Sequence, residues 1–122
     1  MLTIRADQLR HLGDECQRRF EERLVAFLHR RTNIPEGKLQ SELPAALEAA
    51  RRFALRSESD IARYCEVMYA TVGDASWDAT PRGARNVLFR HGVEPEEKVS
   101  RFAQWMRDYA ISQQELNNAR RR

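Results

Sequence analysis

Residues 6–31 contain no Pro and a single Gly, and their apolar positions repeat with a helical period. Leu9, Leu12, Cys16, Phe20, Leu24 and Phe27 are spaced 3, 4, 4, 4 and 3 residues apart, so at about 100° per residue they form one stripe. A helix over this stretch is about 39 Å long at about 1.5 Å per residue, so the remaining chain must fold back along it to cover the stripe. Thr3 is placed to cap this helix, and Asp7 to favour its positive end. Gly13 falls near the stripe, where its use is the close approach of a neighbouring helix. Val25 and Leu28 project about 100–160° away from the stripe. The second half of this helix is therefore apolar on two sides, which predicts either a central place in a bundle or a face covered by another protein.

The segments that follow are also helical. Residues 32–37, with Pro35 between Asn33 and Gly37, form a break, and a short turn is expected from Pro35 to about Leu39. Ser41 is expected to cap the next helix with Pro44 in its first turn, and Leu43, Leu47, Ala50 and Ala54 give its inward stripe. Ser57 to Asp60 resembles a capping box and opens a helix whose stripe is Ile61, Tyr64, Cys65, Met68 and Val72, with Gly73 behind it. Thr80 and Pro81 restart a helix as N-cap and first residue, reaching about His91. Glu94 and Pro95 open the last one, with the stripe Val99, Phe102, Met106 and Tyr109 and a tail expected to fray over 117–122. No stretch alternates with period two, and no hairpin turn signal occurs. The reading is an all-α single domain over residues 1–122, a bundle of about five helices with the first and last long.

A chain of 122 residues can remove about two-thirds of its unfolded surface from water, enough for a core without staples. Cys16 and Cys65, the two cysteines, lie on apolar stripes and are expected as buried thiols, with a disulfide between them as the alternative. The first residues lack an apolar run of the length an export or membrane segment needs, so a cytoplasmic protein without a membrane partner is expected. The formal charge of +3 comes from 21 basic residues, all Arg except Lys38 and Lys98, against 18 acidic ones. The acids are interleaved: Asp14 with Arg18, Glu15 with Arg19, Glu48 with Arg52 and Glu97 with Arg101 stand four apart in the favourable order of solvated helix faces. A nucleic-acid binder is expected to segregate its basic residues instead.

The residues point away from catalysis. His11, His29 and His91 share no triad or metal-ligand spacing with a carboxylate or Cys, and the adjacent carboxylates at 14–15, 21–22 and 96–97 diverge by about 100° around their helix. There is no Gly-rich phosphate loop. The expectation is a non-enzyme with no catalytic residue, no cofactor and no metal. A helix-turn-helix built from 57–72 and 80–91 is a weaker reading, with Arg82, Arg85, Asn86 and Arg90 on its reading helix, because the connection exceeds the 3–4 residues that motif uses. What remains is protein binding. Trp77 sits in a loop, and Tyr69 and Trp105 flank their stripes, positions from which aromatic residues supply interface hot spots. With Val25 and Leu28 they make up the candidate protein-binding set, and Val25, Leu28 and Trp77 the candidate exposed apolar patch.

An opening of the form Met-x-x-Ile-Arg, the run Phe20-Glu21-Glu22-Arg23-Leu24-Val25-Ala26-Phe27-Leu28-His29-Arg30-Arg31, and the run Leu55-Arg56-Ser57-Glu58-Ser59-Asp60-Ile61-Ala62-Arg63-Tyr64-Cys65-Glu66-Val67-Met68 carry a further signal. Together they resemble a family of small helical proteins encoded in bacterial type VI secretion effector clusters, beside the spike, its tip, an effector and an adaptor. The likeness extends through Gly73, Asp74 and Asp78. Where such proteins often read Gly-Pro-Asp-Phe-Asp, this chain has Gly73-Asp74-Ala75-Ser76-Trp77-Asp78. The resemblance implies an accessory or co-chaperone that helps an adaptor hold or load an effector. An immunity protein that neutralises a cognate toxin is the alternative, and a small DNA-binding regulator the second. The expected partner is thus an effector, adaptor or toxin, with a homodimer also open.

Overall fold

In a computed structural model of the chain the backbone is described for residues 6–121 and the side chains for residues 15–121. The described residues form five helices and no strand: α1 Ala6–Thr32, α2 Glu36–Arg52, α3 Glu58–Thr71, α4 Arg82–Leu88 and α5 Pro95–Arg120. The expected roles of Thr3, Asp7, Leu9, Leu12, Gly13 and Asp14 as caps, stripe positions or charge partners lie outside the described side chains, as does His11.

α1 packs against both α2 and α3, α3 also packs against α5, and α4 packs against α5 alone. The two apolar sides of α1 follow from its place between two neighbours. Val25 is 4% exposed and Leu28 0%, so both belong to the core and neither forms the exposed patch expected of them. Leu24 on the first stripe is buried beside them. Among the described residues of α1 the first buried one is Phe20, and Cys16, one turn earlier, is exposed rather than buried. Only Cys65 is an enclosed thiol. Both cysteines are free, and burial pushes the Cys65 thiol up to about 12.

α2 is one continuous helix instead of a turn followed by a capped helix. Ser41 donates to the Lys38 carbonyl (2.9 Å) rather than capping. Pro44 is tolerated inside the helix because it is exposed, as is Gln40, whose carbonyl loses the bond and faces water. The helix stops at Phe53. There the Ala54 and Leu55 amides donate back to Arg51 (2.9 Å) and Ala50 (3.0 Å) with Ala54 at φ +59°, a Schellman turn. Ala54, expected on the inward stripe, is exposed in that turn, and Phe53 takes the buried place.

Ser57 caps α3 as expected, accepting from the Asp60 amide at 3.1 Å. Tyr64, Cys65 and Met68 are buried, and Gly73 at φ +76° ends the element. α4 is shorter than its sequence pattern, ending at Leu88 with Phe89 behind it. Thr80 does not cap it: the hydroxyl is buried, donates to the Ser76 carbonyl (3.0 Å) and lies 3.3 Å from the Tyr64 hydroxyl, so Pro81 occupies the N-cap position. Val99, Phe102 and Met106 of α5 are buried. The tail expected to fray is helical to Arg120, because its Asn residues lower propensity without interrupting the backbone bonds. Every residue from Ile111 to Arg121 is exposed. The ion pairs Glu48–Arg52 (3.2 Å) and Glu97–Arg101 (2.9 Å) form as their spacing predicts.

Candidate protein interface

The connection between α3 and α4 is tied down from within. The Tyr64 hydroxyl donates to the Ala75 carbonyl at 2.9 Å, and the Ser76 amide donates to the Asp74 carboxylate at 2.8 Å. Burial raises the Tyr64 phenol above its ordinary range, keeping it a neutral donor. These bonds present Trp77 to the end of α2. Its ring stacks on Phe53 with centroids 5.0 Å apart, and the guanidinium groups of Arg52 and Arg85 lie 4.8 and 4.7 Å from its centroid. Arg85 also donates from Nη2 to the Trp77 carbonyl at 2.8 Å. The loop residue, the end of α2 and α4 are thereby locked together.

Trp105 holds α4 from its other side. Its indole lies where a Cβ on Gly83 would fall, and it stacks on Tyr109 with centroids 5.4 Å apart. Gly83 is thus a close-approach glycine that the sequence reading passed over. The two tryptophans singled out by sequence meet at α4 as its supports, each half-buried. Tyr69 is not part of this arrangement. It is 5% exposed and its hydroxyl donates to Glu42 (3.2 Å), with burial and then that carboxylate raising its phenol. Its place at the edge of its stripe is the edge of the core.

The outward side of α4 is what these supports present. Arg82 and Asn86 stand four apart on one side of α4, Phe89 and Arg90 follow its last residue, and all four are exposed. Phe89 is 44% exposed although its ring contacts Phe53 (5.2 Å) and Trp77 (5.6 Å). It is the functional candidate sequence reasoning missed. Its signal was present, since Phe89 breaks the stripe of Ala84 and Leu88 that faces the core. Beside Trp77, Ala45, Glu48, Arg52, Ser76 and Asp78 line a shallow groove of about 180 Å³.

α3 and α4 do not touch, so the helix-turn-helix arrangement does not form; the intervening loop carries the chain across to α5. A larger cleft of about 350 Å³ lies among α1, α2 and the start of α3, but Phe20, Leu47 and Leu55 in its floor are already buried. His29 accounts for its own ring, with Nδ1 donating to the Ile34 carbonyl at 2.7 Å, and His91 stands exposed in a different element. Among the described residues no three His, Cys, Asp or Glu side chains come together as a metal site, and no helix is long and apolar enough to cross a membrane. The chain matches no protein-family description, no curated protein and no solved structure.

Proposed function

We propose that this protein is a non-catalytic binding module that docks a partner protein on the outward side of α4, and that the partner is the adaptor of a type VI secretion effector. The observation that carries the docking reading is Phe89: a large apolar ring, nearly half in water, fixed in place by Phe53 and Trp77 rather than free to collapse. An aromatic anchor with prepaid side-chain entropy is what an interface hot spot requires. The naming of the partner rests on the resemblance of the Phe20–Arg31 and Leu55–Met68 runs alone.

Co-expression of the tagged chain with a type VI adaptor, its effector and the effector's toxin domain tests both parts. The adaptor is expected to co-purify with the wild type and to be lost from Phe89→Ala. Retention of the toxin domain with suppressed toxicity would replace the accessory role with an immunity role. Unchanged adaptor capture by Phe89→Ala would move the docking surface elsewhere.

A further inference from the structure

We infer that the surface received by α4 is acidic, a patch of Asp and Glu around an apolar socket for Phe89; this rests on the reading that the outward side of α4 binds protein. From Ala79 to Val93 the chain contains no acidic residue, and it carries Arg82, Arg85, Arg90 and His91. It is the longest acid-free run of the chain, ahead of residues 23–35, and it surrounds the exposed Phe89 ring.

The three arginines divide by what holds them. Arg85 is committed to Trp77 through its ring contact and its bond to the carbonyl, and serves the scaffold. The guanidinium groups of Arg82 and Arg90 are exposed and make no hydrogen bond or ion pair with a described residue, so both are available to a partner. Arg82 stands at the start of α4 and Arg90 just beyond its end, with Phe89 next to Arg90. Placed at the two ends of α4, they answer to carboxylates on the partner and steer encounter, while Phe89 determines residence.

A duplex phosphate backbone would also attract two arginines. An exposed phenylalanine at the centre of the patch has no place against phosphates, and α4 has only 7 residues and no partner helix in α3 to set it in a groove.

Fluorescence anisotropy at 50 and 200 mM NaCl tests the inference with three labelled probes on the full chain. One is a sixteen-residue peptide alternating Glu with Leu and Ala, one is its Lys-for-Glu counterpart, and one is a twenty-base-pair duplex. The Glu peptide is expected to bind at least tenfold tighter than the Lys peptide. Arg82→Glu/Arg90→Glu is expected to remove that preference and most of the salt dependence, with unchanged circular dichroism. Equal binding of the two peptides, no binding of either, or indifference to the charge reversal overturns the acidic partner. Preference for the duplex, lost on charge reversal, assigns the patch to nucleic acid instead. Adaptor capture distinguishes the two levels. Loss with Phe89→Ala but not with Arg82→Glu/Arg90→Glu keeps the docking site and discards its charge, whereas loss with neither discards the site.

Discussion

The second half of α1 and the outward side of α4 both show apolar side chains where a simple amphipathic helix would be polar, and the fold resolves them in opposite ways. Val25 and Leu28 stand off the main stripe of α1, and α2 and α3 close over both sides, leaving nothing in water. Phe89 stands off the inward stripe of α4, and α4 has one neighbouring helix, α5. A second apolar direction on a helix is therefore a count of its neighbours: two neighbours make it core, and one leaves a surface. α1, 27 residues long, can accept two. α4, with 7, can accept one and must be steadied by Trp77 and Trp105.

The comparison is tested most severely at Leu28. Leu28→Ala is expected to lower the unfolding free energy by about 2–5 kcal/mol, the range for emptying an enclosed leucine site, measured by urea denaturation. A loss under about 0.5 kcal/mol with normal folding would return Leu28 to the surface and dissolve the contrast. Gly83→Ala comes next. The new methyl falls on the Trp105 ring, which is stacked on Tyr109 and packed against α4, so α4 or the indole must shift at about 1–3 kcal/mol. Near-ultraviolet circular dichroism should change with it. An unchanged spectrum at unchanged stability would mean that α4 rides loosely on α5.

Much of this architecture was legible in the sequence because it depends on local rules. Helix periods, the Ser57 cap, the Gly73 stop and the four-apart Glu–Arg pairs are set within a few residues of themselves. The errors occur where a residue's fate is decided by something distant. Thr80 looked like a cap and became a buried donor, because Tyr64 and the Ser76 carbonyl reach it first. Cys16 looked buried by period, but it faces the open cleft between α1, α2 and the start of α3. Ser41 and Pro44 read as a helix start, yet Leu39 and Leu43 on the same buried side hold the helix together through them. Of the candidate site, Trp77 and Trp105 were found and their meeting at α4 was not, since it requires knowing that α4 packs on α5.

Phe89→Ala separates stability from binding. The ring gives up two aromatic contacts, about 0.5–1.5 kcal/mol each, but a ring 44% exposed forfeits only part of that, so a loss of about 1 kcal/mol is expected beside abolished adaptor capture. The ratio of effects is the reverse of that at Leu28. Destabilisation near that of Leu28→Ala would make Phe89 a core residue with an exposed edge.

The smallest effect bears on how the α4 surface is supported. Ala54 holds φ +59° in the Schellman turn that follows Phe53 and Arg52, the two α2-end residues against Trp77. An L-residue with a Cβ pays about 1–2 kcal/mol there. Glycine removes that strain and returns about 0.4–1 kcal/mol of it through a freer unfolded chain. Ala54→Gly is thus expected to stabilise by about 0.5–1 kcal/mol, read as a higher urea midpoint at unchanged slope. Its bearing on function lies in the Trp77 emission. If emission and adaptor binding stay at wild-type values while stability rises, then Phe53, Arg52 and Arg85 alone position the indole, and the strained turn only redirects the chain toward α3. If binding weakens as stability rises, the left-handed alanine is holding the end of α2 against Trp77, and the surface of α4 depends on strain stored two helices away.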